Sequence, residues 1–430
     1  MVINLDRNHS LQTPAFEYGH PTAAYVHIPF CRRRCFYCDF PISVVGDRTQ
    51  GENSGAIAQY INGLNQEILT TPSFEKPLQT VFFGGGTPSL LSVGQLEQIL
   101  KVLDQQFGIA SSAEISIEID PGTFDLAQLK GYQAAGINRV SLGVQAFQPE
   151  LLQACGRSHT ADDVYTAVEL IHQANVSNFS LDLISGLPHQ TLEQWQESLQ
   201  QAIALHPTHL SVYDLIVEPV TAFGRQYKPG AKPLPSDEMT AQMYRMAEQV
   251  LSTAGYEHYE ISNYAKPGHQ CRHNRVYWEN RAYYGFGMGA ASYVQGQRFT
   301  RPRTRREYFQ WVEELVGNRG AIACPQTPIS EMLLDTLMLG LRLAQGLRLA
   351  DLAQRFGAAA VDQILITLKP YFRQGWVELF DIETSRLVEP NFGLNQFSPT
   401  LSLRLNKPEG FLFSNTILTS LFEQDFITFL

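Results

Sequence analysis

The chain has 430 residues, 44% hydrophobic and 17% charged, which is more than one ordinary domain holds and enough apolar material for a large core. Its formal net charge of −10 argues against general nucleic-acid binding, which needs a basic footprint; the arginine cluster Arg298, Arg301, Arg303, Arg305 and Arg306 is a local exception. No apolar run is long enough to cross a bilayer, and the N-terminus has no apolar secretory core. Half of the six cysteines lie in one loop, which suits a metal site in a reducing cytoplasm better than a disulfide framework.

Residues 1–21 carry neither a helical nor a strand period and are expected to be flexible. Ala23 to Ile28 reads as a first strand, ended by Pro29. A helix follows over Ile57 to Leu69, with Ile57, Ile61, Leu64 and Ile68 at helical spacing. The next strand, Thr80 to Phe83, runs into Gly84-Gly85-Gly86-Thr87-Pro88, and a helix covers Leu96 to Phe107. Glu114 to Asp120 alternates as a strand, Leu126 to Ala135 is helical with Gly136 as its stop, and Arg139 to Val144 is a strand. Ala161 to Ala174 is a helix, Ser177 to Ile184 a strand, Leu192 to Leu205 a helix and His209 to Ile216 a sixth strand.

Six alternations of strand and helix predict parallel β/α units: an α/β fold built as a partial (β/α)6 barrel of the TIM type, short of the closed eightfold barrel. This core is expected over 22–235. An extension over 236–325 holds a helix capped by Ser236, a last strand at Tyr256 to Tyr264, and irregular, aromatic-rich chain to about residue 300. Residues 326–430 read as a separate domain of helices followed by strands at Trp376 to Phe380 and Leu401 to Leu405, a winged-helix-like pattern taken as a cover or partner surface.

The chemistry gathers in loops after strands, where such folds place their sites. Cys31, Cys35 and Cys38 stand at spacing C-x3-C-x2-C directly after the first strand. A [4Fe-4S] cluster takes four thiolates, so three leave one iron open for a small chelating ligand; the amino and carboxylate groups of S-adenosylmethionine fit. The plain alternatives are a zinc knuckle or surface thiols, and no second Cys/His pair follows nearby to complete a zinc site. Gly84 to Pro88 lets backbone approach a ligand, with an ordinary turn as its alternative. Glu118 and Asp120 end a strand where carboxylates take ribose hydroxyls, although Asp120-Pro121-Gly122 also reads as a turn. Gln145, Arg157 and Asp182 stand at or beyond later strand ends; Arg157 reads equally as a carboxylate clamp or a surface ion pair. In Cys271-Arg272-His273-Asn274-Arg275-Val276-Tyr277-Trp278, His273 is a metal or heme ligand or else a satisfied core histidine in an aromatic packing loop.

The cysteine loop resembles that of the radical S-adenosylmethionine proteins. With Tyr25 to Cys38, Gly84 to Pro88, Glu114 to Pro121, Gly143-Val144-Gln145, Leu181 to Pro188 and Pro408 to Thr416, the chain is similar to the oxygen-independent coproporphyrinogen III oxidase group from about residue 23 to its end. The resemblance implies a cluster on Cys31, Cys35 and Cys38, and S-adenosylmethionine among Tyr25, Tyr37, Gly85, Gly86, Thr87, Glu118, Gln145, Arg157, Asp182 and Ile216. That group holds true oxidases and heme chaperones. The oxidase has another cysteine two positions after the third and a longer leading segment; here Phe40 holds that position and Cys31 comes early. The His273-Asn274-x-x-Tyr277-Trp278 stretch resembles a heme-handling motif of the chaperones, which makes His273, Tyr277 and Trp278 heme candidates beside Cys271.

The implied function is a cytoplasmic heme chaperone whose cluster and S-adenosylmethionine need not catalyse turnover. Its cargo is heme and its partners are heme-acceptor proteins, membrane respiratory enzymes among them, with a homodimer allowed and no nucleic acid. The alternative is the oxidase, decarboxylating coproporphyrinogen III to protoporphyrinogen IX in heme biosynthesis. A methyl- or sulfur-transferring radical enzyme is a third reading, and this chain lacks the additional cysteine cluster it calls for.

Overall fold

A computed structural model of the chain describes residues 19–46, 51–393, 396–424 and 426. Most of the segment expected to be flexible, residues 1–18, lies outside them.

Strands β1 (Ala23–Ile28), β2 (Leu78–Gly85), β3 (Ile109–Ile119), β4 (Arg139–Gln145), β5 (Phe179–Ser185) and β6 (His209–Asp214) lie side by side in that order, all parallel. A helix follows each: α1 (Gly55–Thr70), α2 (Val93–Phe107), α3 (Leu126–Ala134), α4 (Ala161–Gln173), α5 (Leu192–Ala204) and α6 (Asp237–Thr253). The expected six β/α units are therefore present as a partial barrel. Their starts are written in the sequence: Ser92 and Gln95, Thr160 and Asp163, and Thr191 and Gln194 form reciprocal capping boxes, and Ser54, Asp125 and Ser236 cap the other three helices. Gly136, just past α3, takes φ +117°, as a helix stop does.

A parallel sheet covered on both faces usually reads as unbroken apolar runs. These strands alternate instead. Val26, Val81, Ile117, Val140, Leu142, Leu181 and Leu210 face the helices in one continuous core. Their neighbours Tyr25, Glu118, Arg139, Ser141, Asp182 and Ser211 face inward and line a cavity. The barrel thus has a polar lumen, and the period-2 pattern is its signature.

The extension departs from expectation in two places. Tyr256 to Tyr264, read as one strand, is a tight antiparallel hairpin of β7 (Glu257–Glu260) and β8 (Asn263–Ala265), with β8 pairing to β6. The stretch read as irregular contains helix α7 (Arg272–Trp278) and a three-residue strand, β9 (Tyr284–Phe286), which joins the opposite edge parallel to β1. The full sheet order is β9-β1-β2-β3-β4-β5-β6-β8-β7. A strand this short has no period to read.

Helix α8 (Arg305–Gly317) begins with Arg305 and Arg306, the last two members of the arginine cluster. Of that cluster, Arg301 is buried on Glu67, Arg298 pairs with Asp335 and Arg303 reaches Asp39, so these three charges are engaged within the chain rather than displayed as one basic patch. Beyond residue 329 a second core forms from helices at Ile329–Gly340, Leu349–Phe356, Ala358–Thr367 and Ser414–Phe422, against a four-stranded antiparallel sheet that includes Val377–Asp381 and Leu401–Leu405. Among the described residues no helix is long and apolar enough to cross a membrane.

Candidate functional site

The cysteine loop leaves β1 at Pro29 and folds over the open end of the sheet. Arg34 staples it, donating to the carbonyls of Cys38 (3.3 Å), Phe40 (3.2 Å) and Ile42 (3.2 Å). Cys31, Cys35 and Cys38 are free, half-buried, and line one cavity of about 440 Å³, within the usual range of small-molecule sites. No other cysteine lines it among the described residues. Among the described residues no three His, Cys, Asp or Glu side chains converge as ligands of a single ion. Three separate thiols around one hollow suit a cluster, whose irons take one thiolate each, better than a zinc knuckle. Burial pushes the Cys31 thiol up to about 12 and raises Cys38; metal binding would supply the positive charge that thiolates need here.

The opposite wall comes from β2, β3 and β4. Gly85 takes φ +111°, and a Cβ there would sit 2.4 Å from the His27 ring. A Cβ on Gly86 would stand 2.6 Å from the Phe30 carbonyl, so the segment must be glycine to lie against the cysteine loop. Its N–H groups are already used: Gly85 donates to Glu118 (3.0 Å), Gly86 to Ile28 (2.9 Å) and Thr87 to Phe30 (2.7 Å). The segment therefore offers a ligand cleared space rather than these donors. Gln145 sits at a register shift at the end of β4 with φ 70°, a conformation non-glycine residues adopt rarely and often at sites.

Arg157 is in the cavity wall, not on the surface, and its side chain is 8% exposed. One of its nitrogens donates to Asp120 (2.5 Å), to the Gly143 carbonyl (2.9 Å) and to His159 (3.3 Å), while the other approaches the Cys35 sulfur at 3.5 Å. Thr87 also donates to Asp120 (3.0 Å), so the aspartate read as a turn residue anchors the wall as well. Tyr37, Glu118, Asp182 and Ile216 line the same cavity, Ile216 at its rim with 70% exposure. Of the residues expected around S-adenosylmethionine, Tyr25 alone does not line it; Tyr25 faces the adjoining lumen cavity and donates to His27 (3.0 Å), whose other nitrogen donates to Pro41 (3.0 Å).

The lumen cavity, about 460 Å³, shares Phe40, Gly85, Glu118, Ser141, Asp182 and Tyr213 with the first. His273 and Tyr277 line it; Trp278 does not, and lies under Arg342 at 5.9 Å. Both ring nitrogens of His273 are engaged, Nδ1 with Thr80 and Nε2 with Tyr277, each at 2.8 Å, and burial lowers its pKa to about 3. Cys271 borders neither cavity: it is fully buried, against Glu114 at 3.6 Å. His27, Arg139, Ser141 and Ser211 also form the lumen wall and were not expected there from the sequence. The alternating polar positions of β4 and β6 were the available signal.

Burial, reinforced by Asp182, pushes the Glu118 carboxyl up to about 8. The ligand-free folded state therefore holds a proton that the unfolded chain releases near pH 4.5, and stability falls as pH rises from about 4.5 to 8. In urea melts of the apoprotein, the wild-type midpoint should drop relative to Glu118→Gln across that window. Parallel pH curves for the two proteins would contradict this.

A three-thiol loop at the strand C-termini of a partial barrel, facing a glycine-cleared hollow, defines a radical S-adenosylmethionine protein, and the Radical SAM superfamily model matches residues 25–202. The HemN C-terminal domain model matches residues 330–381. The chain belongs to the family of heme chaperones named HemW. It is 49% identical to the Synechocystis heme chaperone HemW over 95% of this chain and 99% of that one. The Bacillus subtilis heme chaperone HemW is 34% identical over 83% and 92% of the two chains. In fold the chain is like the coproporphyrinogen III oxidase HemN of Escherichia coli, with a TM-score of 0.74 at 23% identity over 94% of this chain and 91% of that one.

Proposed function

We propose that this protein is a heme chaperone: it binds heme and hands it to acceptor proteins, with a [4Fe-4S] cluster and S-adenosylmethionine in the cavity under the cysteine loop. The observation that carries this is the near full-length identity to a protein of that name. Cys31, Cys35 and Cys38 would hold the cluster, leaving one iron open to S-adenosylmethionine. Gly85, Gly86, Thr87, Glu118, Gln145, Arg157 and Asp182 would enclose that ligand, with Tyr37 and Ile216 at its sides and Tyr25 at the lumen boundary. When bound, the pair supplies one-electron chemistry. The chain's own residues shape the hollow, hold Arg157 against Asp120 beside Cys35, and keep Glu118 protonated.

Phe40 supports the chaperone over the oxidase. It occupies the position of the oxidase's further cysteine and lies where the two cavities meet. On this reading residues 22–235 are the cofactor-bearing core, 236–325 the heme-contacting extension and 326–430 the surface for acceptors or a second copy. The protein works in the cytoplasm, delivering to respiratory enzymes at the membrane.

For heme, His273 is favoured over Cys271 because it borders the lumen cavity; Tyr277 must release Nε2 for it to ligate. Heme titrated into the cluster-reconstituted protein should bind one to one. His273→Ala should weaken it about tenfold or more, a change of at least about 1.4 kcal/mol, and Cys271→Ala should not. The reverse pattern would move the ligand to Cys271.

A further inference from the structure

Tyr25, Phe82, Ser116 and Arg139 form one register row across β1 to β4. At its end Arg139 is 2% exposed and lines the lumen cavity. Its Nε has no hydrogen-bond partner and among the described residues no ion pair includes it, although Glu114 and Asp182 lie near enough for their charges to favour its ionised form. The hydroxyl of Ser116 beside it is also buried without a partner. A buried charge is normally paired, because removing it from water is costly. The neighbouring carboxylates are committed elsewhere. Glu114 accepts from the N–H groups of Arg272 and His273, both at 3.0 Å; Glu118 accepts from Gly85; Asp182 accepts from Ser141 and Ser180. An aromatic wall lines the same cavity. Phe82 stacks with Tyr25 at 6.3 Å and with His273 at 5.2 Å, and Tyr277 meets His273 edge-on at 5.1 Å.

We infer that the lumen cavity receives a ligand with an apolar body and a carboxylate, and that Arg139 is the receptor for that carboxylate. A guanidinium presents paired donors that match a carboxylate's two oxygens. The ligand's identity rests on the heme reading, in which the carboxylate is a propionate of the tetrapyrrole; a free small carboxylate offers the same chemistry.

The test uses the full-length, cluster-reconstituted protein as wild type, Arg139→Gln and Arg139→Lys. Heme and heme dimethyl ester, whose carboxylates are blocked, are each titrated by visible absorption. In parallel, melting is followed in sodium propionate against sodium chloride at equal ionic strength. The wild type should bind heme about tenfold or more tightly than the ester. Arg139→Gln should bind both at the ester's level. Arg139→Lys, which keeps the charge and guards against a glutamine variant that does not fold, should keep part of the preference. If heme binds but the variants discriminate against the ester as well as wild type does, the assignment of Arg139 is overturned and the heme reading stands. If heme and ester bind alike, or heme does not bind, the propionate arm decides. Stabilisation of wild type but not of the variants assigns the site to a free carboxylate, and no stabilisation in any protein overturns the inference.

Discussion

Replacing Cys31, Cys35 and Cys38 together by alanine should abolish iron binding: anaerobic reconstitution should load about four irons on wild type and close to none on the variant. The three thiols line one cavity, and no other cysteine does so among the described residues. The informative control is Cys155. It is fully buried and close enough to Cys35 for their charges to interact, and its carbonyl accepts from the Phe36 N–H (2.9 Å). Cys155→Ala should keep the full iron load, as should Cys271→Ala and Cys324→Ala. Loss of iron in Cys155→Ala would make it a fourth ligand and remove the open iron on which binding of S-adenosylmethionine depends.

The largest expected loss of stability comes from a buried ion pair far from the cysteines. Glu67, on α1, is 0% exposed and accepts from Arg301 Nε (2.7 Å), the Tyr308 hydroxyl (2.6 Å) and the Gly287 N–H (2.8 Å). About two turns earlier on the same helix, Tyr60 donates to the His27 carbonyl (2.8 Å) and accepts from Met288 (2.9 Å). These contacts tie α1, the end of β9 and α8 to the base of the cysteine loop. Glu67→Ala would strand a guanidinium whose side chain is 1% exposed, and should cost about 3–5 kcal/mol in denaturant unfolding. That is a large fraction of the roughly 5–15 kcal/mol that holds a typical domain folded. The double change Glu67→Leu with Arg301→Met should recover most of it, because matched apolar partners remove the stranded charge. A loss below about 1 kcal/mol in the single variant would mean that water reaches Arg301.

The alternation of strand and helix and the cysteine spacing made the six β/α units and the place of the cofactor hollow legible in the sequence. Thr160-x-x-Asp163 and Thr191-x-x-Gln194 each mark a helix start by local chemistry alone, and both helices begin there. What lay hidden depends on distance along the chain. Glu67 and Arg301 are 234 residues apart, and nothing local in either marks the other. Arg139-Val140-Ser141-Leu142 shows its alternation plainly, yet the pattern alone does not say whether the polar face meets solvent or a closed lumen. Tyr284–Phe286 became a strand through its pairing with β1, not through any period of its own. Trp278 was grouped with His273 and Tyr277 by motif, but lies away from the cavity those two border.

We propose that this barrel carries heme rather than decarboxylating a porphyrinogen. The direct measurement mixes the reconstituted, heme-loaded protein with an apo-acceptor and follows heme by absorption. A matched sample receives S-adenosylmethionine, reductant and coproporphyrinogen III and is assayed for protoporphyrinogen IX. Heme should move to the acceptor, and no porphyrinogen product should accumulate. Multiple turnovers of decarboxylation without heme transfer would contradict it, and would make Phe40 compatible with oxidase chemistry.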